Sequence, residues 1–336
     1  MVDTLFNLLW FVGIFFVGIL IWAALSPFET MGWWAGWFGD TIYEEAVPSD
    51  GLLRRIHADT TSYVLFLSGV GRTSSETLSH RERVFLEHLA RLASRTVIID
   101  DVFPYSVNNL SLTAQPIFAR FWRWALSWKQ HGPRFAGNLI NLRNIFQILT
   151  SIDKRYGPMY NQGVAEVLFH GLLRYDYSPE CKNPVFLVAS SGAAQIAVGA
   201  APYLKEMINA PVYVVSVGGV FGSDPGLLDI DHIYHLYGTR DGAVRWSNLD
   251  AGRWPISASS TWNRAKRQGK VSEICLGAMC HSGRGSYLDF RAKMATGEPY
   301  VEKTAQVVSS VIDDAIALLP PSVLAPANEE LETAPA

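Results

Sequence analysis

Apolar positions along this chain change rhythm twice. From Thr4 to Leu25 (TLFNLLWFVGIFFVGILIWAAL) they run almost unbroken, with no charged residue and only Thr4 and Asn7 clearly polar. As a helix such a run would measure about 33 Å, enough for the ~30 Å hydrocarbon core of a bilayer. It has no polar stripe, as a core helix would. Nor does it carry the basic residues that open a signal peptide, since only Asp3 precedes it. The pattern predicts a single-pass transmembrane anchor over residues 1–26, in contact with the bilayer through residues 4–25. Trp10, Trp22, Trp33, Trp34 and Trp37 supply rings suited to headgroup depth. The first basic residues, Arg54 and Arg55, lie too far along to set the sidedness of the span.

Residues 27–60 are broken by Pro27, Gly32, Gly36, Gly39, Pro48 and Gly51 and read as a juxtamembrane linker. Over 61–319, short β-rich apolar runs alternate with helical periodicity. The runs are Tyr63–Leu67, Thr96–Ile99, Pro184–Ala189, Val212–Val217, His232–Tyr237 and Val271–Met279. His80–Ser94 has helical spacing, with Val84, Phe85, His88, Leu89 and Leu92 on one face, and Gly297–Leu319 gives a second amphipathic helix stopped by Pro320-Pro321. Near-continuous apolar strands separated by helices predict an α/β fold, a mostly parallel sheet with helices on both faces. Residues 320–336 are rich in Pro, Ala and Glu and predict a disordered tail.

One stretch departs from the alternation. Between Val102 and Ile152 there are five basic residues (Arg120, Arg123, Lys129, Arg134, Arg143) and no acidic one. Phe118, Phe121, Trp122 and Trp128 recur there at helical spacing. A helical insertion over about 103–157 is expected, its aromatic stripe packing on the body, lining a substrate pocket or lying on the membrane surface.

Composition narrows the function classes. The net charge is −3 across 336 residues, so no global field gathers nucleic acid. Three cysteines, Cys181, Cys275 and Cys280, cannot all pair, and no Cys/His spacing suits a metal. No cofactor or metal is expected. Sparse cysteine favours a reducing compartment, hence a cytoplasmic body. The histidines other than His281 lack ligand spacing and read as surface or packing residues. Oligomeric state is not encoded in any feature of the chain.

Chemistry concentrates after the PVFLVA run. Ala189-Ser190-Ser191-Gly192-Ala193 joins an apparent strand to a helix rich in small residues, the setting of a nucleophile elbow, where neighbours two before and two after must be small. The usual Gly-x-Ser-x-Gly reads Ala-x-Ser-x-Ala around Ser191. A serine nucleophile needs an imidazole to take its proton and a carboxylate to orient that imidazole. His232–Tyr237 runs into Gly238-Thr239-Arg240-Asp241, and the next run leads to Cys280-His281-Ser282-Gly283. Ser191, Asp241 and His281 thus follow successive strands in that order, opening on one edge of the sheet. Asp224, after the preceding strand, is the alternative acid.

In LFLSGVG, VASSGAA, HLYGTRDG and MCHSG, the chain resembles the α/β-hydrolase fold superfamily over roughly residues 60–319. The resemblance implies Ser191 as nucleophile, His281 as general base, Asp241 as its orienting acid, and an oxyanion hole from the backbone N–H of Gly192 and of Val70 or Gly71. The expected function is a membrane-anchored serine hydrolase cleaving an acyl ester or thioester, with a small-molecule acyl substrate. An acyltransferase would share every step but the last acceptor, and the other alternative is an inactive hydrolase-like scaffold tethered to the membrane.

Overall fold

The structure, a computed structural model, describes residues 60–72, 78–105 and 135–320, with scattered helical positions between 6 and 32. Its centre is a six-stranded, wholly parallel sheet: β1 (Ser62–Leu67), β2 (Thr96–Ile99), β3 (Val185–Ser190), β4 (Val212–Val217), β5 (His232–Tyr237) and β6 (Val271–Cys275). The spatial order is β2-β1-β3-β4-β5-β6. The order therefore turns between β1 and β3, so the loops that follow these two strands diverge and leave a crevice at their carboxyl ends.

Helices cover both faces. One core holds Leu65, Leu67, Leu187, Ala189 and Val214 from alternate strand positions. Above them lie α2 (Phe135–Ile152), α3 (Gly157–Arg174), α4 (Ala193–Ile208) and the short α5 (Thr261–Arg267). The other core takes Val64, Phe66, Phe186, Val188 and Val215, the intervening positions, against α1 (His80–Leu92) and α6 (Tyr300–Ala317). The strand side chains alternate between two dry layers, which is why the runs read as continuously apolar rather than alternating.

The expected elements fall where the pattern put them, with shifted ends. The last strand stops at Cys275 instead of Met279, because Gly277 turns to a φ of +80°. The final helix starts at Tyr300, three residues late, after a turn at Gly297 (φ +86°) and an extended Pro299 cap. The described part of the expected insertion is α2, and it packs against α3 and α4 as part of the layer instead of standing apart as a cap. Arg143, one of the five basic residues of this stretch, is buried. It is 1% exposed, and its guanidinium donates to the Tyr105 carbonyl at 2.5 Å and to Asn144 Oδ1 at 3.1 Å.

The anchor over 4–25 and the linker over 27–60 fall almost wholly outside the described residues. Phe118, Phe121, Trp122, Trp128 and the tail beyond Pro320 lie outside them altogether. Among the described residues, no helix is long and apolar enough to cross a membrane.

His235 on β5 is buried within the sheet, sharing a 3.1 Å hydrogen bond with the Ser216 hydroxyl of β4 and meeting Phe221 edge-on. Burial, reinforced by the Arg253 guanidinium, pushes its pKa down to about 3. An unfolded histidine titrates near 6.5. Between those values the unfolded chain binds a proton that the native state refuses, so stability present above about pH 6.5 is lost as pH falls towards 3. His235→Gln should flatten the decline of Tm over that interval, measured by thermal unfolding of the full chain across a pH series.

Candidate active site

The candidate site is built at the carboxyl edge where the strand order turns. β3 ends at Ser190 and α4 starts at Ala193, so Ser191 and Gly192 must reverse the chain within two residues. Ser191 does so with φ at +56°, the left-handed region, which costs a residue with a Cβ about 1–2 kcal/mol. Hydrogen bonds hold the turn there. Ser191 N–H donates to the Val217 carbonyl at 3.3 Å, and the Ser191 carbonyl accepts from Val220 at 3.0 Å and Ala194 at 3.2 Å. Ala189 and Ala193, where the usual Gly-x-Ser-x-Gly elbow has glycine, are fully buried.

The loop after β1 presses against this elbow. A Cβ on Gly69 would lie 3.2 Å from the Ser191 Cβ, and one on Gly192 would sit 2.3 Å from Ile148 Cδ1 and 3.2 Å from Val70 Cγ1. The absence of side chains at both positions permits this close approach. Val70 and the Gly192 backbone are thereby brought side by side. Among the described residues, neither gives its N–H to another protein acceptor.

The three distant residues meet. Ser191 Oγ is 2.8 Å from His281 Nε2, and His281 Nδ1 is 3.0 Å from Asp241 Oδ2. With the imidazole proton on Nδ1, the ring donates to Asp241 while Nε2 accepts from the serine hydroxyl. Asp241 has a side chain of zero exposure and is fully committed. Its Oδ1 accepts from the backbone N–H of Ala243 (2.8 Å) and Val244 (3.2 Å), and its Oδ2 also accepts from the Tyr287 hydroxyl at 2.7 Å. Burial alone would raise the Asp241 carboxyl, yet the bonds from His281 and Tyr287 hold it below the ordinary aspartate range. It stays an anion beside the imidazole.

Tyr287 is the residue that sequence reasoning did not find. Its hydroxyl donates to Asp241 and accepts from Gly238 N–H at 2.8 Å. Burial, then the adjacent carboxylate, raises its pKa, so the phenol remains a donor. Its ring occupies the space a side chain on Gly218 would need, 2.3 Å from that missing Cβ. Tyr287 comes from a loop without periodicity, and no pattern in the chain singles it out.

The loop after β1 is held from behind. Asn144 of α2 donates to the carbonyls of Val70 (2.7 Å) and Arg72 (3.0 Å), and Tyr105 donates to the Ser68 carbonyl at 3.2 Å. Ser68 Oγ also donates to Glu82, which closes a capping box with Ser79 at the start of α1. The Ser-x-x-Glu spacing before a helical run is a signature visible in the sequence. Over Ser191 and His281 opens a cleft of about 530 Å³, bounded by the 68–72 loop, the start of α1 and the segment from His281 to Leu288.

Asp224, the alternative acid, is used elsewhere. It accepts from Gln195 Nε2 at 2.7 Å and caps its own turn through Gly226 N–H at 2.8 Å. The three cysteines are free, Cys280 sits beside His281 outside the chain of polar contacts, and among the described residues no group of ligands could hold a metal.

The contact between Gly69 and Ser191 makes a specific forecast. Gly69→Val crowds the Ser191 Cβ, so the serine or the loop must give way, which should cut reactivity of Ser191 roughly 10²-fold while leaving the fold intact. Covalent labelling rates compared with circular dichroism check it. Set against known proteins, this chain matches no protein-family model and no curated protein.

Proposed function

We propose that the chain is a membrane-anchored serine hydrolase of the α/β-hydrolase type, cleaving an acyl ester or thioester through a Ser191–His281–Asp241 triad and an acyl-enzyme. One observation carries the reading. A serine at a left-handed turn between strand and helix contacts an imidazole at 2.8 Å, which in turn contacts a buried carboxylate at 3.0 Å. Convergence of three residues 40 to 90 positions apart in sequence is what acyl transfer requires. The parallel sheet with helices on both faces supports the same reading.

In this mechanism the Ser191 hydroxyl gives its proton to His281 Nε2 as Oγ attacks the substrate carbonyl. The new oxyanion accepts hydrogen bonds from the backbone N–H of Gly192 and of Val70 or Gly71, donors fixed before the reaction starts. The imidazolium is stabilised by Asp241 and then passes the proton to the departing alcohol or thiol. Water, deprotonated by His281, attacks the acyl-enzyme and regenerates Ser191. Asp241 keeps its proton-free state throughout, as its depressed pKa favours. The apolar run over 4–25 would hold this centre beside a bilayer, which suits an acyl-lipid-like substrate.

A fluorophosphonate probe tests the reading: labelling of the full chain that disappears in Ser191→Ala supports the hydrolase. A folded protein that resists labelling supports the tethered scaffold instead. Asp241→Asn should lower kcat by about 10⁴-fold, because the amide favours the wrong imidazole tautomer. His281→Ala should reduce ester turnover at least as far.

A further inference from the structure

Arg81 stands at the second position of α1, after the Ser79 cap, and borders the cleft over Ser191. A cation in the first turn of a helix faces the positive end of the helix dipole, an unfavourable place for it. Among the described residues, the contacts Arg81 makes do not offset this. Its Nη1 donates to the Gly283 carbonyl and, at 3.1 Å, to the Ser286 hydroxyl, both neutral acceptors. Among the described residues no carboxylate comes within ion-pair distance of it. Asp289 is close enough to feel its charge, but its oxygens accept from the backbone N–H of Gly285 (2.6 Å) and Arg291 (2.9 Å).

The other guanidinium at the cleft differs. Arg72 is buried, donates to the Asp100 carbonyl at 2.5 Å and has Glu82, Asp100 and Asp101 around it. The helix terminus itself is also occupied, because Glu82 N–H bonds Ser79 Oγ and Ser79 N–H bonds Glu82 Oε2. What remains at the cleft is a guanidinium with five N–H donors, of which, among the described residues, only Nη1 is engaged.

We propose that the cleft takes an ester or thioester carrying an anionic group, a carboxylate or phosphate, and that Arg81 recognises this group. The inference rests on the hydrolase reading for the word ester, though not for the anion. The same Arg81 contacts tie α1 to the segment 283–286 just beyond His281, so a bound anion would lie beside the general base.

The test uses matched substrates on the full chain. Mono-4-nitrophenyl adipate is compared with 4-nitrophenyl hexanoate for an anion on the acyl side, and 3-butanoyloxybenzoate with phenyl butyrate for one on the leaving-group side. The anionic partner should be preferred at least about tenfold in kcat/KM on one arm, which then says where the anion sits. Arg81→Gln should abolish that preference, costing the anionic ester at least about tenfold more in kcat/KM than its neutral partner, and Arg81→Lys should keep part of it. No preference on either arm, or equal losses for charged and neutral esters, overturns the proposal. A binding arm decides the question if no ester turns over. The mono-anilide of adipic acid should raise the Tm of the wild-type chain more than hexananilide does, and not that of Arg81→Gln. Failure of fluorophosphonate labelling with that binding difference intact would refute the hydrolase while leaving the anion site standing.

Discussion

The site depends on one constrained backbone angle. Ser191 sits at a φ of +56°, and only that turn lets β3 run directly into α4 while lifting the serine hydroxyl above the sheet edge. A left-handed residue with a Cβ is unfavourable by about 1–2 kcal/mol on its own. Here three main-chain hydrogen bonds, to Val217, Val220 and Ala194, over-determine the angle. Small neighbours follow from the same requirement. Ala189 and Ala193 flank the turn, and Gly69 and Gly192 allow the loop after β1 to touch it. Both alanines are fully buried and belong to the core cluster beside the turn.

Around that turn, polar groups are held by other polar groups rather than by solvent. Asp241 accepts four hydrogen bonds from four different donors, and Tyr287 bridges it to the β5 loop through Gly238. Such full satisfaction keeps a buried carboxylate charged, where burial alone would favour the neutral acid. The loop after β1 is fixed in the same manner by Asn144 and Tyr105. Pre-set donors and an oriented imidazole are what an acyl-transfer site needs before substrate arrives, since reorganisation during the reaction would add to the barrier. The proposed anion recognition by Arg81 would extend this design to substrate choice, through a charge held ready at the cleft mouth.

The parallel sheet was legible because its inner strands β1, β3 and β4 are buried on both faces. Leu65, Phe66, Leu187 and Val188 are all apolar regardless of which layer they enter, so the run itself announces the strand. Strand ends were less legible, since Gly277 ends β6 through a φ that a propensity for β structure does not register. The burial of Arg143 was not legible at all, because only the tertiary fold brings the carbonyl of Tyr105 and the amide of Asn144 together to make a buried place for a charge.

By itself the sequence determined which residue types follow which strands: a serine after β3, an aspartate after β5, a histidine after β6, all necessarily on one edge because the strands are parallel. That much is local, set by periodicity and strand direction. Only the tertiary structure decided that these groups touch, that Asp241 rather than Asp224 faces the imidazole, and that Tyr287 and Arg81 join the site. Those outcomes depend on strand order and on how far loops reach across it, quantities set by packing between segments up to about two hundred residues apart. No window of neighbouring residues contains that information.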